Sequence, residues 1–388
     1  MSSVLGTYAR KAISFTEGKG SYLFAENGDK YLDFIQGIAT NILGHCHEHL
    51  VNEIQAQSKK LWHVSNAFII PEQERLAKRL TDNTFADFVC FQNSGTEATE
   101  ASIKIARKYF HKIGKPEKNR IITFQGAFHG RTLAALFAAN NPKHTEGFGP
   151  KVEGFDQVPF ADHEAVKKAI NKNTAAILLE TIQGEGGIKV VPDVCLKGLR
   201  EICDEHNLLL ILDEVQCGVG RTGNFFAFEK SGIVPDIVPI AKGIGGGFPL
   251  GACLVTKKAS VGMTPGTHGS TFGGNPLAMS VGNAVLDIIF AKNFLENVKQ
   301  KGKYFDQGLN KMKDKYPKII EEVRGVGLIN GLKMLVDNTE FIKKLMNHKM
   351  LAIKAEENVT RLFPPLIVNN KELDEAIEKI DKVCNEMS

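Results

Sequence analysis

Short apolar runs alternate with amphipathic segments along the middle of the chain. From about residue 72 onward, the runs are mostly four or five residues long, which suits buried strands better than helices. Strands that alternate with helical segments predict a mostly parallel sheet with helices on both faces, which is an α/β fold. The predicted strands cover residues 88–91, 121–124, 176–179, 208–212, 237–240 and 252–255.

The two ends of the chain differ from this middle. Asn27 and Gly28 separate two apolar stretches, and an Asn-Gly pair in that setting is the strongest short signal for a β-hairpin. Beyond about Asn275 the chain has helical patterns rich in lysine, interrupted by strand-like stretches at residues 324–328 and 361–365. We therefore expect antiparallel structure at both ends.

The length of the chain suggests more than one domain, since 388 residues exceed what one ordinary core holds. We predict a large α/β domain at residues 49–275 and a smaller α+β domain at residues 276–388. The N-terminal segment, residues 1–48, is expected to pack with the small domain.

Composition excludes several classes of protein. A hydrophobic share of 43% with 24% charged residues is typical of soluble proteins, and no apolar run approaches the roughly 18 residues of a membrane span. The first residues lack the apolar core of a secretory signal. Seven scattered cysteines without a CxxC pair argue against disulfides and zinc. The net charge of +4 is spread over both signs, which gives no reason to expect nucleic acid as a partner. Taken together, these observations predict a cytoplasmic protein with no nucleic-acid or membrane partner and no metal.

The strongest chemical signal is an acid and a lysine at the ends of two predicted strands. Asp213 directly follows the run 208–212, and Lys242 closely follows the next run, 29 residues after Asp213. The carboxyl ends of parallel strands meet at one sheet edge, where open α/β sheets bind ligands. Pyridoxal phosphate chemistry requires an acid that holds the pyridinium nitrogen and a lysine that forms a Schiff base. This cofactor is therefore the leading hypothesis.

Other strand ends carry weaker signals. Ser94 and Glu97 are spaced as a capping box at a helix start, where backbone N–H groups bind phosphate, although an ordinary capped helix has the same pattern. Phe128 could stack on a flat ring, and the planar fork of Arg131 could hold a carboxylate. Glu185 lies in a glycine-rich turn after another predicted strand. Each signal alone is weak.

Three further patterns do not fit their usual functions. The run ending at Asp213 and Glu214 resembles the magnesium-binding strand of P-loop ATPases, but the chain contains no GxxxxGK[ST] motif. The GxGxxG stretch at residues 218–223 does not open a long helix, so we interpret it as a loop. His45, His47 and His49 have no separated second pair of ligands, and ordinary packing explains them better than a metal site.

In this order and spacing, the motifs resemble those of the class III aminotransferases, which are fold-type I pyridoxal phosphate enzymes. The resemblance runs from about Tyr22 to the C-terminus and implies an α/β fold with a large, mostly parallel seven-stranded sheet and a smaller α+β domain. The motifs that carry it begin at Asn93, Phe128, Gln183, Asp213, Lys242 and Gly269.

The resemblance implies a set of cofactor contacts. Lys242 would carry the cofactor as a Schiff base and shuttle the proton, and Asp213 would keep the pyridine nitrogen protonated. Gln216 would touch the phenolic oxygen, while Val215 and Phe128 would lie on the two faces of the ring. Further cofactor contacts are implied at Ser94, Gly95, Thr96, Ser270 and Thr271.

The phosphate contacts carry a further implication about assembly. Gly95 and Thr96 would bind the phosphate of the chain's own cofactor, whereas Thr271 in this family reaches the phosphate in the neighbouring subunit. The resemblance therefore implies a homodimer with shared active sites.

Within the family, the chain is most similar to the acetylornithine aminotransferases of arginine biosynthesis. These enzymes move the δ-amino group of N-acetylornithine to 2-oxoglutarate, giving N-acetylglutamate semialdehyde and glutamate. Arg131 would hold the carboxylate far from the reacting carbon, Arg361 the α-carboxylate of glutamate, and Glu185 would neutralise Arg361 when the other substrate is bound. Ornithine enzymes have a tyrosine where this chain has Ile38, and an apolar side chain suits an acylated amine better.

Several alternatives stay open. Ornithine, succinylornithine, succinyl-diaminopimelate and 4-aminobutyrate are other amine donors used within the family, and a non-catalytic binding protein could retain the fold. Intact Lys242 and Asp213 argue against the latter. Glu48 replaces a proline that is usual in the family after His47, which predicts a local change of the turn.

Overall fold

The structure is a computed structural model that describes residues 3–388. Its strands, in chain order, are β1 Phe15–Lys19, β2 Tyr22–Ala25, β3 Lys30–Asp33, β4 Phe88–Gln92, β5 Arg120–Phe124, β6 Phe155–Val158, β7 Thr174–Glu180, β8 Ile182–Gln183, β9 Lys189–Val190, β10 Leu209–Asp213, β11 Ile237–Ile240, β12 Gly251–Val255, β13 Ile320–Val326, β14 Ile329–Met334, β15 Met350–Leu351, β16 Ile353–Ala355 and β17 Val359–Leu362.

The helices surround these strands and include several of a single turn. Short 3₁₀ turns also form at Ala227–Ser231 and Lys242–Gly245. The α-helices are α1 Gln36–Ala39, α2 Glu48–Ser58, α3 Pro71–Asn83, α4 Gly95–Lys112, α5 Leu133–Ala139, α6 Pro142–Thr145, α7 His163–Ala169, α8 Asp193–Glu205, α9 Lys257–Ser260, α10 Pro276–Ile289, α11 Phe294–Lys315, α12 Asn338–Asn347 and α13 Asn370–Glu386.

A seven-stranded sheet in the order β4-β12-β11-β10-β7-β5-β6 forms the centre of the molecule. Strand β12 runs antiparallel to both neighbours, and the other strands run parallel to one another, which confirms the predicted α/β fold. All six predicted strands form, with Asp213 as the last residue of β10. Strand β6 was not predicted, because only two of its four residues, Phe155 and Val158, are apolar and buried.

The two faces of the central sheet pack against different helices. Along β10, Leu210 and Leu212 join the core on one face, while Leu209 and Ile211 join the core on the other. Helix α8 covers the first face and α4 the second. This double burial explains why β10 reads as a continuous apolar run and not as an alternating one.

The N-terminal segment forms a meander that reaches the C-terminal part of the chain. The predicted hairpin at Asn27-Gly28 is confirmed: β2 and β3 pair antiparallel around this turn. Strand β3 then pairs in parallel with β15, with Leu32 opposite Met350. The N-terminal strands therefore share a sheet with residues 350–351. The domain bounds stay a prediction, and residues 1 and 2 lie outside the described residues.

The C-terminal part contains an antiparallel sheet in the order β13-β14-β17-β16, backed by α11, α12 and α13. Both predicted strand-like stretches lie in this sheet or its turns. Among residues 3–388, no single helix is long and apolar enough to cross a membrane, whereas α10 and α11, bent by 71°, pass that test only as a pair.

The glycine-rich stretch 218–223 joins the two sheets. The Nη1 of the buried Arg221 donates to the carbonyl oxygens of Leu328 (3.1 Å) and Pro364 (2.5 Å). The backbone of Gly327 lies so close to Thr222 that a Cβ added to Gly327 would be 2.7 Å from the Thr222 Cα. The stretch therefore acts as a packing loop and not as a dinucleotide-binding turn.

A glycine pair on α11 tests this close packing. Alanine normally stabilises a helix interior by up to about 1 kcal/mol relative to glycine. At Gly302, however, a Cβ would lie 2.5 Å from the Cα of Gly327, so we expect Gly302→Ala to lower the free energy of unfolding by about 1–3 kcal/mol in urea denaturation. Gly308→Ala on the same helix meets only the flexible side chain of Ile377, at 3.0 Å, and should change stability by less than about 1 kcal/mol. Equal stability of the two variants would contradict the contact.

Candidate active site

The buried carboxylate of Asp213 is at the centre of the candidate site. Its Oδ1 accepts the N–H of Val215 (3.0 Å), and its Oδ2 lies 2.8 Å from Nδ1 of the buried His129. Burial opposes protonation of His129, but the hydrogen bond and the negative charge of Asp213 outweigh it and raise the pKa of His129 above its ordinary value. The positive charge of a protonated His129 would compensate the buried negative charge of Asp213.

A second acid lies directly beside Asp213. Glu180 ends β7 and is paired in register with Asp213. Its Oε2 accepts the N–H of Phe128 (2.9 Å) and its Oε1 the N–H of Gly184 (3.4 Å). Burial raises the pKa of Glu180 to about 7, although the charge of His129 opposes the shift. The sheet edge therefore holds two carboxylates and an imidazole.

Lys242 lies on the next strand end, as the sequence predicted. It opens the 3₁₀ turn after β11 with φ 47°, a left-handed conformation that is uncommon for a residue other than glycine and is found at functional sites. Burial lowers the pKa of Lys242 to about 8, assisted by the charge of Arg361. Within residues 3–388 its amine forms no hydrogen bond or ion pair.

The start of α4 forms a close-packed backbone cradle. Ser94 caps the helix by accepting the N–H of Glu97 (3.3 Å), but Glu97 accepts the N–H of Asn93 (2.7 Å) and not that of Ser94, so the predicted capping box forms only in part. A Cβ at Gly95 would lie 2.6 Å from Cγ1 of Val215. The Thr96 hydroxyl accepts N–H groups from the loop at residues 131–132. Free N–H groups at a helix start favour an anion.

The side chains expected around the cofactor ring lie on loops that follow the strands of the central sheet. Val215 contacts Gly95, and Phe128 precedes His129, which bonds to Asp213. The Oε1 of Gln216 is buried and has no partner in the described part of the chain; a Cβ at Gly184 would lie 1.6 Å from it. A buried acceptor without a partner fits a ligand that donates a hydrogen bond to it, such as a hydroxyl on a flat ring.

The two arginines expected to bind substrate differ in burial. Arg361 on β17 is buried, and its Nη2 donates to Glu185 Oε2 (2.7 Å) and to the carbonyl of Lys354 (2.8 Å). Its Nε and Nη1 have no partner among residues 3–388. Arg131 is exposed and lies over the Phe128 ring, with Cζ 5.4 Å from the centroid. The site therefore presents one buried and one open guanidinium.

Three predicted residues are less closely tied to the centre. Ser270 Oγ accepts an N–H from the side chain of Asn93 (3.1 Å), next to the cradle. Thr271 is exposed, and its hydroxyl bonds to nothing in the described chain. Ile38 lies on α1 with φ 63° and 37% exposure, on a segment whose Ile42 packs against Gly243.

The histidine-rich turn is used structurally. His45 pairs with Asp33 (2.8 Å), His49 with Asp287 (2.9 Å), and no cluster of metal ligands occurs in residues 3–388. Glu48 opens α2, where an acid interacts favourably with the helix dipole, so the substituted turn accommodates it.

Two functional candidates, His129 and Glu180, were missed by the sequence reasoning. His129 lay inside a motif already noted, and Glu180 ends an apolar run in the same way as Asp213. The strand-then-acid pattern could have identified Glu180, whereas no sequence signal shows that His129 turns toward Asp213.

The chain is similar to known proteins in both sequence and structure. Residues 7–384 match the sequence family described as Aminotransferase class-III. The chain belongs to the class-III aminotransferase family. It is 56% identical to the acetylornithine aminotransferase of Agrobacterium fabrum over 97% of this chain and 94% of that protein, and 56% identical to that of Mesorhizobium japonicum over 98% and 95%.

Solved structures of aminotransferases superpose over nearly the whole chain. The ornithine aminotransferase of Toxoplasma gondii gives a TM-score of 0.95 at 31% identity, covering 99% of this chain and 93% of that one. The N-acetylornithine aminotransferase of Stenotrophomonas maltophilia gives 0.86 at 32% identity, covering 98% and 97%. This class-III aminotransferase is a pyridoxal-phosphate-dependent enzyme, and its cradle, free lysine and unpartnered Gln216 fit that cofactor.

Adding the cofactor to apoenzyme tests the state of Lys242. The neutral amine attacks an aldehyde, and its population rises with pH through the lysine pKa of about 8. We expect the rate of covalent cofactor attachment, followed by visible absorbance, to increase up to about pH 8 and then to level off. Lys242→Arg should attach none, whereas Lys257→Arg, at an exposed position, should match the wild type. A rate that still rises about tenfold between about pH 8 and 9, as for an ordinary lysine, would contradict the lowered pKa.

Proposed function

We propose that this enzyme transfers the δ-amino group of N-acetylornithine to 2-oxoglutarate, giving N-acetylglutamate semialdehyde and glutamate. The names of the most similar relatives support this substrate. The observation that carries the proposal is the ion pair between Arg361 and Glu185 beside the lysine, with a second arginine, Arg131, at the open end of the site.

The two substrates make opposite demands on this site. Glutamate has a carboxylate on the reacting carbon, whereas the reacting δ-carbon of N-acetylornithine has none. The site must therefore offer a cation for glutamate and neutralise it for the other substrate. Arg361 has two nitrogens without a partner among residues 3–388, and with Glu185 as a movable partner it is suited to both states. Arg131 holds the remaining carboxylate of either substrate.

The same geometry supports the proposed cofactor roles. When bound, pyridoxal phosphate supplies the group that carries nitrogen between the substrates and accepts the electron pair released at the reacting carbon. Lys242 holds it covalently and then moves the proton through its Nζ. Asp213 would accept the N–H of the ring, and Gln216 would contact the ring hydroxyl.

The remaining cofactor contacts hold the ring and the phosphate. Val215 and Phe128 lie on the two ring faces in this proposal, and the backbone cradle at the start of α4 binds the phosphate. The contributing residues are Ser94, Gly95, Thr96 and Ser270, with Thr271 acting on the cofactor of a second subunit.

A homodimer is the proposed assembly, since the unpartnered Thr271 would complete the phosphate site of the other subunit. We also propose a cytoplasmic location, consistent with the seven free thiols among the described residues, and no nucleic-acid or membrane partner.

Ornithine is the second candidate donor, because several of the matching structures are ornithine aminotransferases. Ile38 disfavours it, since ornithine enzymes place a tyrosine hydroxyl there. A hydrogen bond to a charged group typically contributes about 1.5–3 kcal/mol.

Kinetics with both donors test the substrate. With 2-oxoglutarate as acceptor, we expect kcat/KM for N-acetylornithine to exceed that for ornithine by at least about tenfold, since ornithine lacks that hydrogen bond. Ile38→Tyr should narrow the ratio, and Ile38→Leu is the matched control. Equal use of ornithine by the wild type, or a preference for 4-aminobutyrate, would refute the substrate while leaving the aminotransferase activity intact.

Mixed dimers test the shared site. Lys242→Ala and Thr271→Ala proteins each lack part of every site, but a hybrid dimer contains one site with both defects and one with neither. We therefore expect glutamate formation to recover when the two inactive proteins exchange subunits. Lys242→Ala mixed with Asp213→Asn is the control: because both residues belong to one chain's own site, every site of the hybrid dimer keeps one defect, and no recovery is expected. If mass spectrometry shows subunit exchange but the Lys242→Ala and Thr271→Ala mixture does not recover activity, the shared site is excluded.

A further inference from the structure

Helix α6 places His144 against the same aromatic ring that Arg131 covers. The His144 and Phe128 rings are perpendicular with centroids 6.1 Å apart, while Arg131 Cζ lies 5.4 Å from the Phe128 centroid. Two groups able to carry positive charge therefore flank one ring at the open end of the site. None of the roles proposed above uses His144.

The position of His144 is held from both sides. Asn141 caps α6 by accepting the N–H of Lys143 (3.1 Å), and its carbonyl accepts the N–H of His144 (2.9 Å). Lys143 pairs with Glu356 (3.0 Å), whose own N–H donates to the carbonyl of Glu185 (2.9 Å). The helix is thus linked to the residue that pairs with Arg361.

We propose that His144 is a specificity-determining residue of the substrate pocket, where it forms, with Arg131 and Phe128, the subsite for the substrate carboxylate farthest from the reacting carbon. This inference rests on the proposed function, in which Arg131 holds that carboxylate. In the free pocket, a neutral His144 leaves the positive charge of this subsite on Arg131. Once an anion is bound, protonation of the His144 ring supplies a second N–H donor from that ring.

The charges around His144 determine in which direction its pKa shifts when a carboxylate binds. Burial and then Arg131, with a smaller contribution from Lys143, lower the pKa of His144 below its ordinary value, while Glu185 and Glu356 oppose the shift. A carboxylate bound to Arg131 cancels that positive charge, so the pKa of His144 rises on binding. Binding then takes up a proton, and by linkage the ligand binds more tightly as the pH falls.

Calorimetry with an unreactive ligand measures this uptake. N-acetylnorvaline has the carboxylate and acyl group of N-acetylornithine but no δ-amine, so it binds the holoenzyme without turnover. Titrations near about pH 6 in two buffers with different ionisation heats give the number of protons bound. We expect the wild type to take up a fraction of a proton, and its affinity to increase by up to about tenfold from about pH 7.5 to 5.5.

Variants separate the subsite from a structural effect. His144→Phe keeps an aromatic ring and His144→Asn keeps hydrogen bonding, but neither titrates, so both should lose the proton uptake and the pH dependence of affinity. His111→Phe, at an exposed position on α4, should retain both. Unchanged uptake in both His144 variants, or no uptake in the wild type, would overturn the proposal.

An arginine variant distinguishes this proposal from the function on which it depends. Arg131→Leu should weaken N-acetylnorvaline at least about tenfold, in keeping with the loss of a charged hydrogen bond. Unchanged affinity in Arg131→Leu would refute the role of Arg131 itself and therefore also the His144 subsite. If Arg131→Leu weakens binding but His144→Phe still takes up protons as the wild type does, only the His144 subsite is refuted.

Discussion

A carboxylate buried at the end of a parallel strand is the constraint on which the site depends. An ionised acid in an apolar sheet is unfavourable unless donors surround it, and Asp213 has the N–H of Val215 and the imidazole of His129. These two contacts fix the loop after β10 and the loop after β5. Since Glu180 is in register with Asp213 and Lys242 follows the adjacent strand, one strand end determines the positions of the groups around it.

The substrate end depends on a contact between two sheets. Arg361 lies on β17 of the C-terminal sheet, yet it pairs with Glu185, which follows β8 near the central sheet. The buried Arg221, bonded to Leu328 and Pro364, holds these parts together close to the end of β17. The ion pair thus lies on a frame of buried backbone contacts. If it opens and closes as proposed, such a frame suits a site that binds two substrates of different charge in turn.

Much of this arrangement could be predicted from sequence. The apolar runs located the six strands because both faces of the sheet are buried, and the acid and lysine after two of them marked the sheet edge. Strand β6 and the bond from His129 to Asp213 could not be predicted: Phe155–Val158 has too few apolar residues, and the direction of a loop side chain depends on tertiary packing. The partial capping box shows the same limit, since Glu97 bonds to Asn93 although its spacing from Ser94 was correct.

The central claim is that Asp213, backed by His129, holds a proton on the ring nitrogen of the cofactor. Nitrogen-15 NMR of enzyme carrying pyridoxal phosphate labelled at the ring nitrogen measures that proton directly. The account predicts a protonated nitrogen in the wild type between about pH 6 and 9 and a deprotonated one in Asp213→Asn, because a neutral amide does not stabilise the pyridinium charge. A nitrogen that stays protonated in Asp213→Asn, or is unprotonated in the wild type, would contradict it.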